Sequence, residues 1–292
     1  MKSVPQIGAW LALALAVCPS AGAVAGPWVE NAEARVRLVG GAPGLGLDFE
    51  LQPGWHVYGK NSGDAGYAPR IDFPASSAVR DARLLFPAPR RFDLPAGMVS
   101  FGYERAVLYP IAATIVPAAG APLAPLEPLK LTARVDYLVC REECIPHRAD
   151  LALALPVKTA AGDPESARLA AALSALPLPA GGTPEAPRVS LRVTPDVDGA
   201  WNLELLAAGG SWRAAAPDIF FESHPLFALG RPQLQASKQG LRFRIRLQRL
   251  DLTEPLPTTT NFAWTLTGFE RSAAGAPAPV ALAGTTPVEL SR

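Results

Sequence analysis

Thiols are scarce in this sequence. It has three cysteines in 292 residues, and Cys18 falls in an apolar leader, which leaves Cys140 and Cys144 as the only thiols expected in the exported chain. Any thiol chemistry is therefore confined to one close pair. Charge of one sign is not banked either: 27 Lys and Arg stand against 26 Asp and Glu, scattered along the chain, and the formal net charge of +1 falls to 0 once Lys2 leaves with the leader. That balance argues against nucleic acid as a partner, which needs clustered cations to neutralise phosphates. Long hydrophobic runs are missing too. Beyond the leader every apolar stretch is broken by Pro, Gly or charge, and none approaches the roughly 20 residues of a bilayer-spanning helix. From residue 189 onward there is no cysteine, and the one histidine there, His224, has no ligand-type neighbour, so no chemistry is expected in that half.

Proline, by contrast, is plentiful: 31 residues, about twice the usual share. It fixes φ and removes a backbone donor, which disfavours long helices and favours short strands joined by turns. At the N-terminus, Lys2, an apolar run over residues 7–17 and two AxA sites, Ala21-Gly22-Ala23 and Ala23-Val24-Ala25, read as a signal peptide over residues 1–25. The bulk of Val17 disfavours lipidation at Cys18. The expected compartment is the periplasm. Roughly 265 residues then remain, more than one β-sandwich and enough for two.

Period-2 alternation over residues 34–39, 45–51, 129–139 and 151–157 predicts an antiparallel β domain spanning residues 26–158. A short helix is predicted over residues 166–176, with Asp163 as N-cap, Pro164 in the first turn, and Leu169, Leu173 and Leu176 on one face. Residues 177–187 carry four prolines and two glycines and read as a linker, so residues 159–187 join the two parts. A second alternating set over residues 189–193, 201–206, 219–222, 241–247 and 262–266 predicts a second β domain over residues 188–292. Within it Leu241-Arg-Phe-Arg-Ile-Arg-Leu247 sets apolar side chains on one face and three arginines on a solvated one. The predicted class is all-β, with two tandem sandwiches.

The strand over residues 131–139 delivers Cys140 to its end, and Cys144 follows after Arg141-Glu-Glu143. Residues four apart in an extended strand are roughly 13 Å apart, so a disulfide requires these three to fold back, and Pro146 fits a hairpin. As a structural staple such a pair is poor. Closing about five residues stabilises by only ~2 kcal/mol, against nearly 5 for about a hundred. The short loop favours exchange chemistry. Arg141 and His147 would promote a thiolate while Glu142 and Glu143 would oppose it. A CxxC opening a helix, the thioredoxin arrangement, is not what is present. A metal set competes, because Cys140, Cys144 and His147 offer three ligands for Cu(I) or Zn, with His56 as a distant addition.

The segment Val135-Asp-Tyr-Leu-Val-Cys140-Arg-Glu-Glu-Cys144-Ile-Pro146, followed by Ala149-Asp-Leu-Ala-Leu-Ala-Leu-Pro156, resembles the N-terminal periplasmic domain of DsbD-type thiol:disulfide interchange proteins, in particular the ScsB (suppressor of copper sensitivity) branch. Leu51-Gln-Pro-Gly-Trp-His-Val-Tyr58, Gly63-Asp-Ala-Gly-Tyr-Ala-Pro-Arg-Ile-Asp72 and the stretch from Phe92-Asp-Leu to Phe101-Gly-Tyr-Glu104 agree with it in order. The resemblance implies an immunoglobulin-like fold, a second such domain, and a protein-disulfide reductase relay in which Cys140 and Cys144 pass electrons to an oxidised thioredoxin-like client, with Cys144 attacking. It implies no cofactor beyond the redox-active disulfide. It further implies an aromatic cap over the pair, for which Phe101, Tyr103 and Glu104 are placed, with Tyr58 and Tyr137 lining the site. Tyr137 lies three residues before Cys140 and so falls on the opposite side of a regular strand. The spacing of the pair is shorter than in DsbD itself. Because the sequence given stops at Arg292, a separate membrane protein of DsbD or ScsB type is expected as electron donor. The alternatives are a copper-handling module and a non-catalytic interaction domain.

Overall fold

The computed structural model describes residues 24–116, 128–156, 163–196, 199–237, 240–273 and 276–290. The expected signal peptide lies outside the described residues up to position 23. Of its last two positions, Ala25 already bridges Val39 and the Val24 carbonyl accepts from Gly40 N.

Eleven strands form the first half: β1 (Val29–Glu30), β2 (Ala34–Gly41), β3 (Gly44–Leu51), β4 (His56–Gly63), β5 (Arg70–Asp72), β6 (Val79–Leu84), β7 (Arg90–Asp93), β8 (Val99–Glu104), β9 (Ala106–Ile115), β10 (Leu129–Cys140) and β11 (Cys144–Leu155). They make two sheets, ordered β1-β2-β3-β9-β6 and β11-β10-β4-β8-β7, with β5 added beside β10. Alternation explains the packing. Val36, Leu38, Leu47 and Phe49 of one sheet meet Val57, Leu131, Val135 and Val139 of the other in a single core.

Helix α1 (Pro164–Ser174) follows, capped by Asp163, whose carboxylate accepts from Ser166 N at 2.7 Å. It ends two residues before the predicted boundary. Leu169 is its one buried residue and packs where Gly46 of β3 allows close approach, since a Cβ there would meet the Leu169 side chain at 2.9 Å. The fully buried carboxylate of Asp48 on β3 bonds Arg37 at 3.0 Å and Arg168 of the helix at 2.9 and 3.0 Å. Glu165 completes that network against both arginines.

The second half contains β12 (Leu178–Pro179), β13 (Arg188–Pro195), β14 (Trp201–Ala208), β15 (Arg213–Phe221), β16 (Phe227–Leu229), β17 (Gln233–Ser237), β18 (Gly240–Arg249), β19 (Thr259–Ala273) and β20 (Ala276–Glu289). Its sheets run β12-β20-β19-β15 and β13-β14-β18-β16, with β17 also on β18. A separate core forms around Trp201, Leu203, Phe243, Ile245, Phe262 and Trp264. On β18 the apolar face is buried while Arg244 and Arg246 point to solvent, as alternation predicted. The proline-rich stretch is more ordered than its composition suggested. Leu178 and Pro179 pair in parallel with Leu282 and Ala283, and Ala186 joins the second core. His224 is a packing residue: its Nδ1 accepts from Leu226 N and its ring stacks on Phe262. No helix among the described residues is long and apolar enough to cross a membrane.

Candidate functional site

On β10 the residues Leu131, Ala133, Val135, Tyr137 and Val139 face the core, and Thr132 and Arg134 face solvent. At the end of the strand the alternation fails. Leu138 and Cys140, on the outer face, are only 7% and 1% exposed, and with Tyr58 they form a small cluster of their own. The hairpin of β10 and β11 runs in register from Leu129 opposite Leu155 to Cys140 opposite Cys144, so the pair closes the hairpin. Residues 141–143 fold back, with Arg141 N donating to the Glu143 carbonyl at 3.2 Å, and the two Cα atoms come within 4.2 Å. The cysteines form a disulfide, one sulfur side buried and Cys144 exposed.

Tyr58 of β4 supplies the polar contact. Its hydroxyl donates to Cys140 Sγ at 2.7 Å and lies 3.5 Å from Cys144 Sγ, while its carbonyl accepts from the Tyr109 hydroxyl at 2.9 Å. The ring is covered by the loop after β4, where Gly66 adopts φ +88° and a Cβ would overlap the ring. Burial pushes the Tyr58 hydroxyl up to about 12, so it keeps its proton and remains a donor near neutral pH.

His56 stands cross-strand from Cys140 on one side and from Glu104 on the other. Its ring stacks on Phe92 at 4.6 Å, meets Tyr58 edge-on at 5.3 Å, and holds Ser100 Oγ at 3.0 Å through Nε2. Burial keeps its pKa below the ordinary histidine value, against the opposing pull of the Glu104 charge. Glu104 in turn accepts from Arg90 at 2.8 Å. Next to the hairpin tip, the Arg141 guanidinium lies 5.2 Å over the Trp55 ring.

The structure therefore brings Cys140, Cys144, Tyr58 and Glu104 onto one face and leaves four expected residues elsewhere. Phe101 and Tyr103 differ in parity from Gly102 and Glu104, the residues opposite Tyr58 and His56, and so point through the sheet. Phe101 packs edge-to-face on Phe220 of the second half at 5.1 Å, and the Tyr103 hydroxyl donates to the Pro87 carbonyl at 2.6 Å. They form no lid over the disulfide here. Tyr137 belongs to the core, accepting from Asn31 at 2.8 Å. His147 pairs with Tyr137 and sits 3.1 Å from Glu33, three residues past Cys144 and hence across the sheet, so the three-ligand set with the cysteines is not assembled. No group of three or more His, Cys, Asp or Glu among the described residues could hold a metal ion. Phe92 and Gly66 are contributors that sequence reasoning missed, and His56 entered it only as a distant addition to a metal-ligand set. The signal for His56 was present, since it lies two residues from Tyr58 and shares its face.

The family profile described as "Thiol:disulfide interchange protein DsbD, N-terminal" matches residues 27–156. No curated protein matches the chain. Among solved structures, the N-terminal periplasmic domain of ScsB from Proteus mirabilis is similar, with a TM-score of 0.66 and 22% identity over 91% of this chain and 99% of that one. That likeness is one of fold, and it extends across both halves. Residues 27–156 are thus similar to the DsbD N-terminal family, in a chain that folds like the ScsB N-terminal periplasmic domain.

Proposed function

We propose that this chain is a periplasmic thiol:disulfide exchange protein, a protein-disulfide reductase that uses Cys140 and Cys144 as a redox-active pair. The observation that carries this reading is the asymmetry of the disulfide, with Cys144 exposed and Cys140 buried under a hydroxyl donor. A pair needed only as a staple gains little where twelve-residue strands already hold the hairpin closed.

In the reduced chain the Cys144 thiolate attacks one sulfur of the client disulfide, forming a mixed disulfide and releasing the other client sulfur as a thiolate. Cys140 then loses its proton and attacks Cys144 Sγ, which breaks the bond to the client. Two electrons have moved from the dithiol to the client, and the client sulfurs take up the two protons. The same path run backwards reloads the pair: an incoming thiolate reaches Cys144, and Cys140 departs as a buried thiolate that accepts the Tyr58 hydrogen bond.

The partners in this reading are a thioredoxin-like client and a membrane electron donor of DsbD or ScsB type. The two cores support a division into tandem immunoglobulin-like domains over residues 26–158 and 188–292, joined by residues 159–187. The test mixes the reduced mature chain with an oxidised thioredoxin-like protein of the same periplasm and counts free thiols on each by alkylation and mass. Transfer of two thiols from this chain to the client is expected. Unchanged thiol counts over hours, with the chain folded, reject the reading.

A further inference from the structure

Adjacent residues on β7 serve opposite sides of the sheet. Phe92 stacks on His56 beside the disulfide, and Arg91 enters the second half of the molecule. Arg91 Nε and Nη2 each bond the Asp218 carboxylate at 3.0 Å, and Nη2 also donates to the Ile219 carbonyl at 2.9 Å. The guanidinium lies 4.8 Å from the Phe101 ring and 5.0 Å from the Phe220 ring. With the Arg91 side chain 12% exposed, this is a bidentate and largely desolvated contact of the kind that fixes geometry.

The arrangement recurs on β4. Tyr58 bonds the sulfurs, and shortly after it Lys60 pairs with Glu222 while the Asn61 amide donates to the Phe221 carbonyl. Residues 59–62 are where the register between β4 and β8 shifts, so the strand there is not held by a regular ladder. Its outside partners all lie at the end of β15 and the residue following it.

We propose that the second half, which has no cysteine, positions the disulfide site. By gripping Arg91, Phe101, Lys60 and Asn61 it fixes β7 and β4, and through them the Phe92–His56 stack and the Tyr58 hydroxyl on Cys140. Asp218 and Phe220 are thus positioning residues for exchange, although neither touches a sulfur. The functional meaning rests on the exchange reading above, but the physical effect does not. A hydrogen bond weakens steeply as its length and angle drift, so releasing the grip removes the donor from the departing Cys140 thiolate.

The experiment uses the full mature chain with Asp218→Asn and, separately, Phe220→Leu. For each, the rate of reduction of the disulfide by dithiothreitol and the equilibrium constant with glutathione are followed by alkylation and mass. Far-ultraviolet circular dichroism and a urea titration establish that the variant is folded. Reduction slowed about fivefold, the loss of one net hydrogen bond, is expected, with Asp218→Glu recovering most of the rate and Arg246→Ala on the solvent face leaving it unchanged. Folded variants that are less stable but react at the wild-type rate and equilibrium overturn the proposal, because a merely structural brace predicts that outcome. If Asp218→Asn does not fold, Phe220→Leu and Lys60→Ala carry the same readouts. Small thiols report the positioning effect alone, so failure of transfer to a thioredoxin-like client rejects the exchange reading and leaves this result standing.

Discussion

At the scale of single residues, the site depends on one hydroxyl. Tyr58→Phe keeps the ring against Gly66 and removes the donor to Cys140, so the fold should lose about 1 kcal/mol in a urea titration. Reduction by dithiothreitol should slow by about fivefold, since the buried leaving thiolate loses its partner. An unchanged rate would separate Tyr58 from the chemistry. Two buried histidines contribute to the acid side of stability. His56 and His224 both have pKa values held by burial below the reference 6.5. In the window between the folded and unfolded values the unfolded chain binds more protons, so their contribution is fully present above pH 6.5 and is lost as pH falls below it. The urea midpoint should therefore drop from pH 6.5 downward, and His56→Phe should flatten part of that slope. Tyr58 was legible as a site residue through the resemblance carried by Leu51-Gln-Pro-Gly-Trp-His-Val-Tyr58. His56 stood in the same motif but entered the sequence reading only as a distant metal ligand, because sequence does not show which strand will lie across from it.

At the scale of elements, parity decided most outcomes. The strands of both halves were legible from alternation because each sheet has one buried face, and the Asp163 cap located the helix. Parity also explains the misplacements: Phe101, Tyr103, Tyr137 and His147 all lie an odd number of residues from a partner on the disulfide face. The aromatic count near the site was visible in sequence, but the register of β8 on β4 was not. Helix α1 is attached chiefly by charge, and this gives a separate prediction. Arg168→Ala leaves the fully buried Asp48 to Arg37 alone and should cost about 1.5–3 kcal/mol, the range for hydrogen bonds to charged groups. Asp163→Ala should cost about 1 kcal/mol. Urea unfolding of each variant at fixed pH checks both numbers, and an Arg168→Ala midpoint equal to wild type would assign the attachment to Leu169 instead.

At the scale of the whole molecule, two cores are joined by the Arg91–Asp218 contact and its aromatic flanks, features to which neither half's sequence points. Arg91 looks like any surface cation until Phe101 and Phe220 are seen on either side of it. Two sets of alternating strands were legible in the sequence, whereas the pairing of Leu178 and Pro179 with β20 was hidden by a composition that reads as linker. The central claim is that the exposed sulfur meets the client and the buried one resolves. It is tested most directly by mixing reduced Cys140→Ser and Cys144→Ser chains with an oxidised thioredoxin-like periplasmic protein and resolving the products on a non-reducing gel with mass identification. The account predicts a one-to-one covalent adduct through Cys144 in the Cys140→Ser chain and little or none in the Cys144→Ser chain. Adduct formation only through Cys140, or none with either, would contradict it.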